Sequence, residues 1–210
     1  MDAMKRIEDC RLYGILDLNF VAPSDLVRVA SEMVEGGVDI IQLRAKSFIP
    51  DDVRWFVEWV HPVTQAAKVP LVVNDYPEVA ASTGVEGVHL GQEDIGVERA
   101  REVAGYRTVI GKSTHSVEQA KAAAAEDTDY IGFGPLFATP TKPDYPPIGV
   151  QEVRDVQEAV KKPVFCIGGI KLENLGAVME AGARRVVMVS GILQAKDVTG
   201  YCRKVKAMLG

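Results

Sequence analysis

Eight short apolar runs alternate with helical stretches from one end of the chain to the other, and this alternation restricts the fold more than any other feature. The runs occupy 12–16, 39–43, 71–73, 87–90, 108–110, 130–133, 164–167 and 185–189, and each reads as a buried strand. Helical patterns cover 23–35, 51–67, 116–126, 150–160, 171–180 and 197–209. The first opens on Pro-Ser-Asp, the second is amphipathic with Trp55, Phe56 and Trp59, and Ser116 is a candidate cap for the third. Strands that alternate with helices predict a parallel sheet. Eight units at this length make the closed (β/α)8 TIM barrel the leading solution, and a doubly wound open sheet is the alternative. The first strand begins almost at the N-terminus, which also favours closure.

Composition narrows the function classes. The chain has 210 residues, is 47% hydrophobic and 25% charged, and carries a net charge of −5. These values predict one globular domain over 1–210. A mildly acidic chain with no basic stripe argues against nucleic acid as a partner. No apolar run reaches membrane-spanning length, and no leader-type apolar segment opens the chain, so a cytoplasmic location is expected. Cys10, Cys166 and Cys202 are odd in number and far apart, as expected of reduced thiols and not of a metal site.

A barrel keeps its reactive groups at the carboxyl ends of its strands, so the residues standing there are the candidates. After the second run come Gln42, Arg44 and Lys46, whose spacing puts them on one face. An arginine facing an apolar interior needs an anionic partner. That partner is either a ligand anion or a carboxylate on a neighbouring strand. Asn74 and Asp75 follow the third run and Asp94 follows the fourth. Two carboxylates beside cations suit Mg²⁺ bridged to phosphate oxygens, and the competing reading makes each a helix cap. Gly111-Lys112-Ser113-Thr114-His115 follows the fifth run. Ser113 can donate to a phosphate, Lys112 either adds a cation or reaches solvent, and His115 reads mainly as a hydrogen-bonding residue at a helix start.

The loop after the sixth run, 134–143, carries Thr139, Thr141 and Lys142 among Pro135, Pro140 and Pro143. Prolines stiffen it, and two hydroxyls with one ammonium suit phosphate recognition. Gly168-Gly169 and Ser190-Gly191 follow the last two runs, where barrels commonly hold phosphate.

Taken in order, the motifs Gln-Leu-Arg-x-Lys, Asn-Asp, Gly-Val-His-Leu-Gly-Gln-x-Asp, Gly-x-Ser-x-His, Gly-Pro-x-Phe-x-Thr-x-Thr-Lys, Ile-Gly-Gly-Ile and Val-x-Ser-x-Ile resemble the thiamine-phosphate synthase family over almost the whole chain. The resemblance implies a TIM barrel that joins 4-amino-5-hydroxymethyl-2-methylpyrimidine diphosphate to hydroxyethylthiazole phosphate, or its carboxylated form. Thiamine phosphate and diphosphate are the products, and Mg²⁺ is required. It further implies that Gln42 meets the pyrimidine, and that Arg44, Lys46, Asn74, Ser113 and Lys142 hold the diphosphate. Asp75 and Asp94 would hold Mg²⁺. Thr139, Thr141, Gly169 and Ser190 would face the thiazole phosphate. The implied mechanism is dissociative and needs no protein nucleophile. Ala45 departs from an acidic residue common in relatives and should point away from the site. Two alternatives remain at this stage. One is a thiazole tautomerase using His115, and the other is a non-catalytic regulator on the same barrel. A homodimer is a further possibility, with Trp55 and Trp59 either in the core or in that contact.

Overall fold

The computed structural model describes residues 4–139 and 146–210. Its strands are β1 (Leu12–Asp17), β2 (Ile40–Arg44), β3 (Leu71–Asn74), β4 (Gly87–Leu90), β5 (Val109–Thr114), β6 (Tyr130–Phe133), β7 (Val164–Cys166) and β8 (Val186–Met188). All neighbouring pairs are parallel, and β8 pairs back onto β1 to close the barrel. The helices are α1 (Leu26–Glu35), α2 (Pro50–Ala66), α3 (Pro77–Thr83), α4 (Val97–Ala104), α5 (Val117–Ala125), α6 (Val153–Ala159), α7 (Leu172–Glu180), α8 (Ser190–Leu193) and α9 (Val198–Leu209).

Strand alternation sorts the side chains into two cores. Leu12, Leu16, Ile41, Leu43, Leu71, Val73, Val88 and Ile131 face outward and pack under the helices. Tyr13, Ile15, Ile40, Val72, Tyr130, Phe165 and Val187 fill the barrel interior. Ile7 and Cys10 join this inner core from the N-terminal segment. Tyr13, Tyr130 and Phe165 meet edge to face with centroids 5.5–5.9 Å apart. Gly111 makes room for them, since a Cβ there would stand 2.0 Å from the Tyr130 ring.

The expected barrel is therefore present, with local differences. The fifth strand runs on through Thr114, so Ser113 is a strand residue and not a loop residue. Lys112 alternates to the outer face and does not line the central cavity. Helices α3 and α4, each about two turns long, carry no pattern marked above. Ser116 caps α5 by accepting the Gln119 N–H. On α2, Phe56 is buried but Trp55 and Trp59 are 57% and 48% exposed, so the core does not hold them. All three cysteines are buried free thiols pushed up to about 12 by burial, which leaves them unreactive. Among the described residues no helix is long and apolar enough to cross a membrane.

Candidate active site

A cavity opens at the carboxyl ends of the strands. Gln42, Arg44, Asn74, Ser113, Thr139, Gly169 and Ser190 line it, so seven of the expected site residues converge there from six strands or their following loops. Thr141 and Lys142 lie outside the described residues.

Arg44 and Asp17 end adjacent strands in direct register, and the guanidinium donates to the carboxylate at 2.7 Å. The pair is buried, at 7% and 1% exposure. The internal ion pair is thus the one that satisfies this arginine, and it also aims it, because Arg44 lines the cavity. A buried charge held this way keeps a defined direction. Asp17 also accepts the Asn19 N–H, which anchors it in turn. Asp17 went unnoticed above. Its position as the last residue of the first strand was the available signal.

At the rim, Lys46 donates to Asp75 at 2.9 Å. Burial pushes the Asp75 carboxyl above its ordinary range, Lys46 pulls it back, and the neighbouring Asp94 carboxylate raises it again. Asp94 accepts the Gly91 N–H at 2.6 Å. Neither carboxylate caps a helix: α3 starts after Tyr76 and α4 after Gly96. Asp75 holds a positive φ of 69°, a costly backbone state for a residue with a side chain. Among the described residues no group of three or more His, Cys, Asp or Glu side chains is placed to hold a metal. The pair Asp75 and Asp94 would leave the remaining positions of a hard cation to water and to ligand oxygens, as Mg²⁺ ordinarily has them.

The opposite wall is backbone. Gly168 and Gly169 have φ values of 98° and 64°. The loop after β6 hydrogen-bonds onto this turn, Leu136 N–H to the Ile167 carbonyl and Phe137 N–H to the Gly168 carbonyl. A Cβ on Gly168 would stand 2.3 Å from Pro135. These glycines therefore serve loop packing as well as the cavity. His115 lines the cavity and hydrogen-bonds through Nδ1 to the Gly134 carbonyl, in keeping with a hydrogen-bonding role.

A polar chain joins Gln42 to Ser113 across the cavity floor, a connection that the motifs did not reveal. The Gln42 amide, the Tyr13 hydroxyl, the Tyr130 hydroxyl, the His89 ring and the Ser113 hydroxyl follow one another at 2.8–3.0 Å. Tyr13 and Tyr130 looked like members of apolar runs, and their parity toward the interior shows only in the closed barrel.

Comparison with known proteins agrees with this geometry. The family model described as thiamine monophosphate synthase matches residues 12–192. A thiamine-phosphate synthase of Halalkalibacterium halodurans is 38% identical over 97% of both chains. One from Mycolicibacterium gilvum is 42% identical over 97% of this chain and 89% of its own. The solved structure of thiamine phosphate pyrophosphorylase from Pyrococcus furiosus superposes with a TM-score of 0.87 at 30% identity over 95% of both chains. The alpha subunit of tryptophan synthase from Legionella pneumophila, at 14% identity and a TM-score of 0.71, shares the fold alone. Matched by the family model over 12–192 and by relatives over nearly its whole length, this closed barrel with its strand-end cavity belongs to the thiamine monophosphate synthase family, whose members are transferases.

Proposed function

We propose that the cavity joins a pyrimidine diphosphate to a thiazole phosphate, giving thiamine phosphate and diphosphate, within the single domain 1–210. The observation that carries this reading is the division of the cavity into two unlike walls. One wall has Arg44, Asn74 and Ser113, with Lys46, Asp75 and Asp94 at its rim. The other is built from Thr139, Gly169 and Ser190. A condensation of a diphosphate with a monophosphate needs two such anion sites.

On the first wall Arg44, Lys46, Asn74 and Ser113 would hold the diphosphate, joined by Lys142. Gln42 would face the pyrimidine ring. On the second, Thr139, Thr141, Gly169 and Ser190 would take the thiazole phosphate. Asp75 and Asp94 fit Mg²⁺, since they are hard oxygen donors whose mutual repulsion a dication relieves. When bound there, Mg²⁺ would offset negative charge on the diphosphate. The protein's part is positional and electrostatic. Arg44 is pre-aimed by Asp17 and stabilises charge growing on the leaving oxygen as the C–O bond breaks, and the thiazole nitrogen then captures the pyrimidinylmethyl cation. Such chemistry needs no protein nucleophile, in keeping with the three buried, unreactive thiols.

The test is incubation with the pyrimidine diphosphate, the thiazole phosphate and Mg²⁺, following thiamine phosphate and released diphosphate. Mg²⁺-dependent formation of both in equal amounts is the expected result. A folded sample that forms neither, while exchanging protons on the thiazole, overturns the reading.

A further inference from the structure

We infer that the buried chain Gln42–Tyr13–Tyr130–His89–Ser113 is a two-setting device. It couples the end of the Gln42 amide presented to the cavity to whether Ser113 can donate a hydrogen bond there. The inference rests on the function proposed above for its choice of ligand.

The argument is a count of protons. Tyr13 and Tyr130 are fully buried, and the hydroxyl of each touches two polar neighbours in the chain. Each hydroxyl has one proton to give, and burying it unmatched is costly. In one setting the Gln42 NH₂ donates to Tyr13. Tyr13 must then donate to Tyr130, and Tyr130 to His89 Nδ1. A neutral imidazole then carries its proton on Nε2, and that proton goes to Ser113 Oγ. The Ser113 hydroxyl proton is left for the cavity, and so is the Gln42 carbonyl oxygen. In the other setting every arrow reverses. Ser113 donates to His89 Nε2, the Nδ1 proton goes to Tyr130, and Tyr130 donates to Tyr13. Tyr13 then donates to the Gln42 carbonyl, so Gln42 presents its NH₂ and Ser113 presents only lone pairs. No mixed setting of a neutral chain satisfies both phenols.

Gln42 and Ser113 both line the cavity, so the setting is visible to a ligand. A ring that donates to Gln42 and carries an oxyanion near Ser113 matches the first setting at both ends. An amino-substituted pyrimidine diphosphate has that pattern. Its oxo analogue offers an acceptor where the substrate has a donor. It must either leave the Gln42 carbonyl facing an acceptor or reverse the chain and forfeit the Ser113 bond. Coupling therefore preserves a discrimination that an amide free to turn either end to the ligand would erase. Tyr13, Tyr130 and His89 are positioning residues, since they act through Gln42 and Ser113.

The experiment compares kcat/KM for the amino and oxo pyrimidine diphosphates in the wild type and in Tyr130→Phe, which keeps the ring volume that Gly111 accommodates. With about tenfold for each matched hydrogen bond, the wild type should prefer the amino compound about tenfold, because the oxo compound forfeits one of the two bonds in either setting. In Tyr130→Phe, Tyr13 keeps only Gln42 as a partner and donates to its carbonyl, so Gln42 presents its NH₂ and the preference should turn to the oxo compound, by about tenfold, with KM for the thiazole phosphate unchanged. An unchanged preference in a folded Tyr130→Phe protein overturns the coupling. A ligand-free arm separates this from failure of the proposed function. In Gln42→Met, Tyr13 keeps only Tyr130 as a partner, so the ¹⁵N spectrum of His89 should show its proton on Nε2. A proton on Nδ1 in that variant overturns the coupling. Absence of turnover in the wild type, with the Nε2 form seen in Gln42→Met, rejects the proposed function and leaves the coupling standing.

Discussion

The two ends of the barrel use the same groups to opposite effect. At the amino-terminal end a carboxylate precedes each of β2, β4 and β6 and accepts an N–H from the first or second residue of the strand before it. Asp39 takes Leu12 at 2.9 Å, Glu86 takes Leu71 at 2.9 Å and Asp129 takes Ile110 at 2.7 Å. Each also has a basic partner: Lys206 for Asp39, His61 for Glu86 and Arg101 for Asp129. Before β8 the pattern breaks. Arg185 stands there, and among the described residues its Nε is the buried side-chain atom without a partner. At the carboxyl-terminal end the carboxylates are crowded instead. Asp75 sits at a positive φ beside Asp94, and burial and that neighbour keep its pKa raised although Lys46 pulls it down. Paired and fully bonded, a carboxylate ties strands together. Beside another carboxylate, Asp75 holds its proton more tightly.

Four substitutions would break or sharpen this contrast. The largest effect is expected from Arg44→Ala, because Arg44 belongs to both categories. It should lower kcat by roughly 10²-fold, as loss of a charge-stabilising donor does. It should also cost about 3–5 kcal/mol of stability by stranding the buried Asp17. Steady-state kinetics and denaturant titration read the two separately, and retention of both values would show that the ion pair neither aims nor anchors anything.

Asp39→Asn comes next. It should cost about 3 kcal/mol, since a buried acceptor of two backbone N–H groups and two ammonium groups is weakened, yet kcat at 25 °C should not change. The pH dependence follows with a definite sign. Burial alone would raise the Asp39 pKa, but the Leu12 N–H and the Lys206 and Lys5 ammonium groups outweigh it and hold it below the ordinary value of 3.8. Its contribution is therefore full above that value and lost as pH falls through the lowered one. Acid unfolding followed by circular dichroism should be less steep in Asp39→Asn at that limb.

Gly111→Ala tests the space between the two ends. Its Cβ collides with the Tyr130 ring, so a cost of about 2 kcal/mol is expected, with a loss of activity that tracks disturbance of Gln42 and Ser113. A thermal melt unchanged from wild type would mean that Tyr130 can move without consequence.

The smallest effect has the opposite sign. Asp75→Asn keeps a side chain suited to positive φ and removes one of two repelling charges. The metal-free variant should be more stable by about 0.5–1 kcal/mol at neutral pH, while Mg²⁺-dependent activity is lost. Because the Asp75 pKa is raised, the wild type recovers this difference as pH falls toward and through that raised value, where its carboxyl takes up a proton. A metal-free variant less stable than wild type at pH 7 would place Asp75 with the anchoring carboxylates.

The uneven legibility of the chain has physical causes. Alternation of apolar runs with amphipathic stretches marks strands and long helices because each must bury a face. Helices α3 and α4, each about two turns long, were missed. Gln42, Arg44, Asn74, Ser113, Gly169 and Ser190 were legible as residues of the strand-end cavity because polar or glycine residues at the ends of apolar strands need a reason to be there. Tyr13 and Tyr130 were not, since nothing local distinguishes a strand residue that faces the inner core from one that faces the helices, whereas Asp17 had a signal in its place at the end of the first strand.

The sequence by itself determined the strand count, the barrel and the family, because burial periodicity and ordered motifs are properties of the chain read in one dimension. Only the tertiary structure decided which carboxylate answers Arg44, that Asp75 and Asp94 repel rather than cap, and that five polar side chains from five strands join in one line. These are contacts across closure, between residues up to 117 positions apart, as Tyr13 and Tyr130 are. Their distances are set by strand register and by the space Gly111 leaves, which no local pattern records.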